Sequence, residues 1–176
     1  MKVFIIPVIG LILTACSSPS KENANASDSV TKNDGNLVSG NFRFVGDSVE
    51  IPSFSIHIDL NEKAEKLIKE KSESIIVAAY FSGVPKDTTK YMENGEYAVA
   101  SRNIELTDSR TAAFNAVKMS KVMYESLADK NIQVLINVFS GRKSSELNLL
   151  DCEILEKPIS EVKGNTFTLK GKLILE

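Results

Sequence analysis

The stretch VEIPSFSIHIDLNEKAEKLIKEKSESIIVAAYF, residues 49–81, decides the fold because its apolar spacing changes along its length. Up to Leu60, apolar and polar residues alternate, which is typical of a strand with one buried face. The alternation changes phase at Pro52-Ser53, and a β-bulge on an edge strand would account for that change. The first part of the stretch therefore predicts a long, half-buried strand.

The second part predicts a helix followed by another strand. Ala64, Leu67 and Ile68 have helical spacing, and Asn61 is a plausible N-cap. The run IIVAAYF at residues 75–81 is apolar throughout, as expected for a strand covered on both faces.

Strand-like runs continue to the C-terminus, at residues 104–107, 112–119, 132–139, 147–155 and 166–175. Asn94-Gly95 predicts a hairpin turn, and Ser120 is a plausible cap for a second short helix. In the last run, alternation places Leu169 and Leu175 on one face. Seven to nine strands with one or two short helices predict a mainly β fold, an antiparallel β-sandwich.

The predicted architecture resembles transthyretin-like and immunoglobulin-like sandwiches. With its helix after the first long strand, it is also similar to the small sandwich lipoprotein of type VI secretion systems. The resemblance concerns architecture and includes no shared motif, so it implies a fold and no activity.

The first 18 residues, MKVFIIPVIGLILTACSS, have the pattern of an export signal. Lys2 precedes an apolar run of about 13 residues, which as a helix would cover roughly 20 Å of the ~30 Å hydrocarbon core. Pro7 and Gly10 would weaken a helix that spans a membrane. Residues 1–15 are therefore predicted to be a signal peptide.

Leu13-Thr14-Ala15-Cys16 resembles the lipobox of bacterial lipoproteins. The resemblance implies that the Cys16 thiol receives a diacylglyceryl group, that a signal peptidase cuts before Cys16, and that the new amino group is acylated. In such lipoproteins an Asp at position 17 would imply retention at the inner membrane, so by the same resemblance Ser17 favours an outer-membrane location facing the periplasm or the cell surface. Two or three acyl chains hold a protein at a membrane essentially permanently.

Composition separates the remaining chain into a tether and one domain. Residues 16–36 contain almost no large apolar residue, so they are predicted to form a flexible tether behind the lipidated Cys16. Residues 37–176 have the size of a single domain. With 21 Lys and Arg against 23 Asp and Glu, the chain lacks the basic excess of a nucleic-acid-binding protein.

The polar loop SGRKSSE, residues 140–146, contains the candidate binding residues Arg142 and Lys143. Adjacent cations on a loop at the end of a sandwich can contact an anionic partner. A solvated loop between strands is the alternative. Ser140 and Lys143 also match Ser-x-x-Lys, but without the companion motifs of penicillin-binding enzymes.

The search for catalytic and metal-binding residues gives no committed site. His57 is the single histidine and would share a polar strand face with Ser53, Ser55 and Asp59. A metal site needs several converging ligands, so no metal and no cofactor are predicted. A Ser-His-Asp triad on His57 stays open as an alternative, although no nucleophile elbow accompanies it.

Asp151 and Glu153 flank Cys152 and would lie on one strand face. They could act as acid and base or hold Ca²⁺, or they could be solvated. Cys152 is predicted to pack inward as a small hydrophobe. If Cys16 carries lipid, Cys152 has no partner in the chain, and pairing between molecules stays open.

These features predict a lipid-anchored envelope lipoprotein that binds an unknown protein or other envelope ligand and is not an enzyme. Two alternatives stay open. One is a small envelope hydrolase that uses His57 or the acidic strand. The other is an inhibitor, an immunity-type protein or a sandwich lipoprotein like that of type VI secretion.

Overall fold

A computed structural model describes residues 31–33, 36–39, 41–87 and 97–175, with side chains from residue 41 onward. These ranges contain thirteen strands and three helices. In chain order they are β1 (Thr31–Asn33), β2 (Asn36–Ser39), β3 (Phe42–Val45), β4 (Ser48–Glu50), β5 (Phe54–Leu60), α1 (Glu62–Glu70), β6 (Ile75–Gly83), β7 (Tyr97–Leu106), β8 (Thr111–Phe114), β9 (Lys118–Ser120), α2 (Lys121–Ser126), β10 (Gln133–Ser140), β11 (Leu150–Cys152), β12 (Leu155–Pro158), α3 (Ile159–Val162) and β13 (Thr166–Leu173).

The strands form three sheets. Sheet 1 has the order β1-β2-β3-β4-β9, sheet 2 the order β12-β10-β6-β7, and sheet 3 the order β11-β13-β5-β8. Sheets 2 and 3 pack against each other as a β-sandwich, with the ring of Phe54 on β5 centred 6.3 Å from that of Phe81 on β6. The predicted mainly β sandwich is confirmed. Its strand pairs are antiparallel, except that β13 runs parallel to β5.

One continuous core lies between the sheets. In β10 and the residue before it, Ile132, Val134, Ile136 and Val138 point inward, as the alternation predicts. Sheet 1 joins the same core through the buried residues of β4 and β9. The chain therefore folds around a single hydrophobic core rather than around three separate ones.

The change of phase at Pro52-Ser53 is a break between two strands, and the predicted bulge is wrong. β4 ends at Glu50 in sheet 1, and β5 begins at Phe54 in sheet 3. Because Pro52 has no N–H to donate to a ladder, the chain can leave one sheet there without losing a backbone hydrogen bond. The N–H of Ile51 still donates to the carbonyl of Val117 at 2.8 Å.

Both predicted helix caps are present. The Asn61 Oδ1 accepts from the Ala64 N–H at 2.9 Å at the start of α1, and the Ser120 Oγ accepts from the Met123 N–H at 3.1 Å at the start of α2. The four-residue α3 is a third helix where one or two were expected. Its short length leaves no helical periodicity to read in the sequence.

Two further predictions differ from the structure, and one lies outside the described residues. Leu175 was predicted to share a face with Leu169, but Leu169 is buried and Leu175 is 99% exposed, because β13 ends at Leu173. Asn94-Gly95 lies outside the described residues. The strands on either side of it, β6 and β7, pair antiparallel. The strand β1 lies within residues 16–36, the range assigned to the tether, and its backbone pairs with β2.

We predict that Phe81→Ala lowers the free energy of unfolding by about 3–5 kcal/mol, because a fully buried aromatic side chain leaves a cavity. Chemical denaturation of the variant measures this loss. Tyr80→Ala is the matched control. The Tyr80 side chain lies on the other face of β6 and is 45% exposed, so its removal should lower the free energy of unfolding by less than about 1.5 kcal/mol. Equal losses in the two variants would contradict the assigned inner face of sheet 2.

Candidate functional site

The loop between β10 and β11, residues 140–148, is closed at its base by Ser140 and Asn148. The Ser140 N–H donates to Asn148 Oδ1 at 2.8 Å, and the Ser140 Oγ accepts from the Leu149 N–H at 2.9 Å. Compact loops whose ends meet in this way frequently carry function. Ser140 itself is fully buried in the base, so in Ser-x-x-Lys it has a structural role.

The carboxylate of Glu73 lies beneath the loop and is 3% exposed. Its Oε1 accepts from the N–H groups of Ser74 and Lys143, both at 3.0 Å. Its Oε2 accepts from the N–H of Ser144 at 2.8 Å and from the Ser144 Oγ at 2.6 Å. Burial alone would raise the pKa of Glu73, but the four donors outweigh it and lower the pKa to about 2. Glu73 thus fastens the loop to the turn between α1 and β6.

The close approach of the loop also depends on Gly141. Its N–H donates to the carbonyl of Ser74 at 2.8 Å, and a Cβ at position 141 would collide with the Ser74 Oγ. That hydroxyl is buried. Glycine is therefore required at position 141 for lack of space rather than for its backbone angles.

Arg142 and Lys143, the two predicted binding residues, have different surroundings. The Lys143 Nζ lies 2.7 Å from the Glu105 Oε1 on β7, and this contact lowers the pKa of Glu105. Arg142 is exposed, has a φ of +59°, and forms neither a hydrogen bond nor an ion pair with any residue in the described ranges. A positive φ is uncommon for a residue with a Cβ. Of the two cations, Arg142 is the one without a partner among the residues that the structure describes.

Exposed apolar side chains lie at the same end of the molecule. Leu147 on the loop is 76% exposed, and Ile174 after β13 is 49% exposed. The Ile174 N–H donates to the carbonyl of Leu149 at 3.1 Å, which continues the β11–β13 ladder and brings the two segments together. We call this surface the loop patch; its members are Arg142, Leu147, Ile174 and Leu175. A cation and an exposed apolar side chain on one loop, with a further apolar strand end next to that loop, are a composition found in binding surfaces.

His57 lies on the outer face of sheet 3, away from the loop patch. Its Nδ1 is 3.0 Å from the Thr111 Oγ1 of the neighbouring strand β8. Within the described ranges the imidazole makes no hydrogen bond to Ser55 or Asp59. The structure therefore does not bring these residues together as a Ser-His-Asp triad.

Cys152 is half-buried and packs against the core, as predicted. Burial, assisted by the charge of Asp151, raises the pKa of the Cys152 thiol to about 11, which makes it a poor nucleophile. The carboxylates on either side have partners already. Asp151 lies 3.6 Å from the Lys172 Nζ, and Glu153 accepts from the Lys170 N–H at 2.9 Å.

We predict that Glu73→Gln lowers the free energy of unfolding at neutral pH by about 3 kcal/mol, because it removes the charge from a buried acceptor and turns one acceptor into a donor. Acidification should reduce this difference. The folded-state pKa of about 2 lies below the ordinary value of 4.5, so the stabilisation is complete above about pH 5 and is lost as the pH falls towards 2. Denaturation curves of both chains across this range measure the effect.

Glu105→Gln is the control for this experiment. It changes a carboxylate that contacts the same loop, but on the exposed surface, and should alter stability little. If Glu73→Gln and the wild type lost stability in parallel below pH 5, the loop would not be fastened by the ionised Glu73.

In the described ranges, three or more His, Cys, Asp or Glu side chains nowhere converge as metal ligands, and no helix is both long and apolar enough to cross a membrane. Cys16 lies outside those ranges. Comparisons of the chain with protein-family models, with curated proteins and with solved structures find no match. Any assignment of function therefore rests on the residues of this chain.

Proposed function

We propose that the chain is a non-enzymatic binding module of the bacterial envelope. In this proposal, lipidated Cys16 holds it at the outer membrane, and the loop patch binds an envelope protein. Its anchoring is supported by the Leu13–Cys16 sequence after a short apolar run. Its binding role is supported by one observation above all. Arg142, exposed and without a partner in the described part of the chain, lies on a loop that Glu73 holds in place.

The binding role has a physical basis in the loop. Glu73 and the Ser140–Asn148 base fix the backbone on both sides of Arg142 before any partner arrives. A fixed loop loses little conformational entropy on binding, so more of the contact energy contributes to affinity. Arg142 supplies a fork of donors that suits a carboxylate on the partner, and Leu147 supplies apolar contact area.

The position of Thr31, where the described chain begins, relative to the loop patch supports the same arrangement. Thr31, Val38 and Arg43 lie on one row across sheet 1, so the described chain begins about 10 Å from Arg43. β13 starts on that side, where the Lys163 Nζ lies 3.5 Å from the Asn41 Oδ1. It then runs for 8 residues, roughly 26 Å, to the loop patch. A domain tethered through residue 31 can therefore direct the loop patch away from the membrane.

We predict that Cys16→Ala abolishes acylation and leaves the precursor uncut by the lipoprotein peptidase, because the thioether forms on that thiol. Mass spectrometry of the N-terminus of the chain, isolated from envelope membranes, measures both. Cys152→Ala is the matched control and should leave both unchanged. A mature wild-type N-terminus without lipid would contradict the proposed anchor.

We predict that a photo-crosslinking residue at position 147 forms a discrete adduct with an envelope protein in intact cells. Arg142→Ala in the same chain should lower the adduct yield about tenfold or more, because a charge-assisted hydrogen bond contributes ~1.5 kcal/mol or more. Immunoblots of irradiated cells measure the yield, normalised to the abundance of the chain.

The same crosslinker at Thr168, exposed on the outer face of sheet 3, is the control position. It should not give the adduct formed from position 147. Identical adducts from both positions, or an adduct from position 147 that does not respond to Arg142→Ala, would show that the loop patch is not the binding surface.

A further inference from the structure

The edge strands of the sandwich differ in length and in what covers them. In the part of the chain that the structure describes, sheets 2 and 3 end in four strands; β8, β11 and β12 have three or four residues, whereas β7 has ten. In β11, the Asn148 side chain accepts from the Leu150 N–H at 3.1 Å and donates to the Leu150 carbonyl at 2.8 Å, as a neighbouring strand would. Short or covered edges hinder pairing with other chains, and among the described residues β7 has neither protection.

The outer side of β7 is open to solvent. Ser101, Arg102 and Asn103 are all exposed, although consecutive side chains of a strand point to opposite faces. Of the strands in the described ranges, only β6 pairs with β7. Alternate residues of such an edge direct their N–H and carbonyl groups away from the sheet. The edge therefore offers a row of hydrogen-bonding groups to an added strand.

Arg102 lies on the inner face of this edge. It is opposite Ala79 of β6, which is fully buried, and residues opposite each other in a pair of strands share a face. The neighbours of Arg102 on that face, Ala100 and Ile104, are partly buried and pack against the core. A charged side chain thus occupies a position where the alternation of β7 would otherwise place an apolar one.

The charge of Arg102 is not compensated within the described part of the chain, where its side chain has no hydrogen-bond or ion-pair partner. Glu105, the single carboxylate of β7, lies on the outer face and contacts Lys143 at 2.7 Å. An inward-pointing charge on an edge hinders pairing with most strands, because pairing would remove the charge from water. A carboxylate opposite Arg102 would offset that cost through charge-assisted hydrogen bonds. The charge therefore excludes most strands and admits one kind.

We propose that the edge of β7 accepts an extended segment of a partner protein as a further strand of sheet 2, and that this segment carries an Asp or Glu opposite Arg102. An apolar residue of the segment opposite Ile104 continues the inner face. This surface is separate from the loop patch and does not depend on lipidated Cys16.

A second copy of the chain does not supply this carboxylate through a two-fold pair of β7 strands. The two-fold axis keeps each side chain on its face, so residues opposite each other are both even-numbered or both odd-numbered. Arg102 then lies opposite an even-numbered residue, whereas Glu105 is odd-numbered. The charge of Arg102 thus favours a different protein over a second copy.

The test titrates fluorescent peptides into the full chain, solubilised in detergent. In the Glu peptide, Thr alternates with Val and Glu replaces a central Val; in the Gln peptide, Gln replaces that Glu. The Glu peptide should bind at least about fivefold more tightly, because a charge-assisted hydrogen bond is stronger than a neutral one. Arg102→Gln should abolish this preference. Lys66→Gln is the control, since it removes the same charge from an exposed ion pair on α1, and it should retain the preference.

Two further measurements separate a specific edge from a misfolded variant. Arg102→Glu should transfer the preference to a peptide with Arg at the central position, a gain that misfolding cannot produce. N-methylation of the Thr residues, or of the residues between them, blocks one edge of the peptide or the other, so only one of these two methylated peptides should lose binding. Equal affinities of the Glu and Gln peptides for the wild type, or of the two methylated peptides, would overturn the proposal.

Hydrogen exchange locates the contact. Alternate amides of β7 should exchange rapidly in the free chain and slowly once the Glu peptide is bound. Protection of these amides in the free chain, together with a dimer in sedimentation, would assign the edge to a second copy and overturn the proposal. Binding of the Glu peptide without a change in exchange along β7 would also overturn it.

Discussion

The fold depends on one constraint, which is that the chain must change sheets at Pro52 while apolar side chains on both sides of it remain in the same core. Three backbone hydrogen bonds secure this passage. The Ile51 N–H donates to Val117, the Gly164 N–H donates to Ser53, and the Ser55 N–H donates to Asn165, at 2.8–3.0 Å. Because Pro52 itself has no N–H, its backbone leaves no unsatisfied donor at the break. Sheet 1 is thereby joined to the sandwich.

At the other end of the domain, the buried carboxylate of Glu73 holds the loop of residues 140–148 in place. Removing the Glu73 carboxylate from water costs several kcal/mol, and four donors compensate for it. Those donors come from the loop and from Ser74, so the carboxylate is stable only when the loop is in place. The arrangement also offsets the cost of order 1–3 kcal/mol of the left-handed backbone at Arg142. The docking of the loop and the burial of the Glu73 carboxylate therefore occur together.

Local features of the fold could be predicted from the sequence, because each depends on residues near one another in the chain. The caps at Asn61 and Ser120 and the inward side of β10 belong to this group. The bulge predicted at Pro52 was wrong because a bulge and a strand break produce the same change of phase. Nothing local distinguishes a strand that continues in one sheet from a strand that starts in another. Only the long-range pairing of β4 with β9 and of β5 with β13 does so.

The candidate site was predictable only in part. The sequence placed Arg142 and Lys143 on a polar loop, and the structure places them there. It could not show that Lys143 forms an ion pair with Glu105. Nor could it show that Glu73 holds the loop, because that contact joins residues about 70 positions apart. The one signal for Glu73 was a carboxylate two residues before an apolar strand.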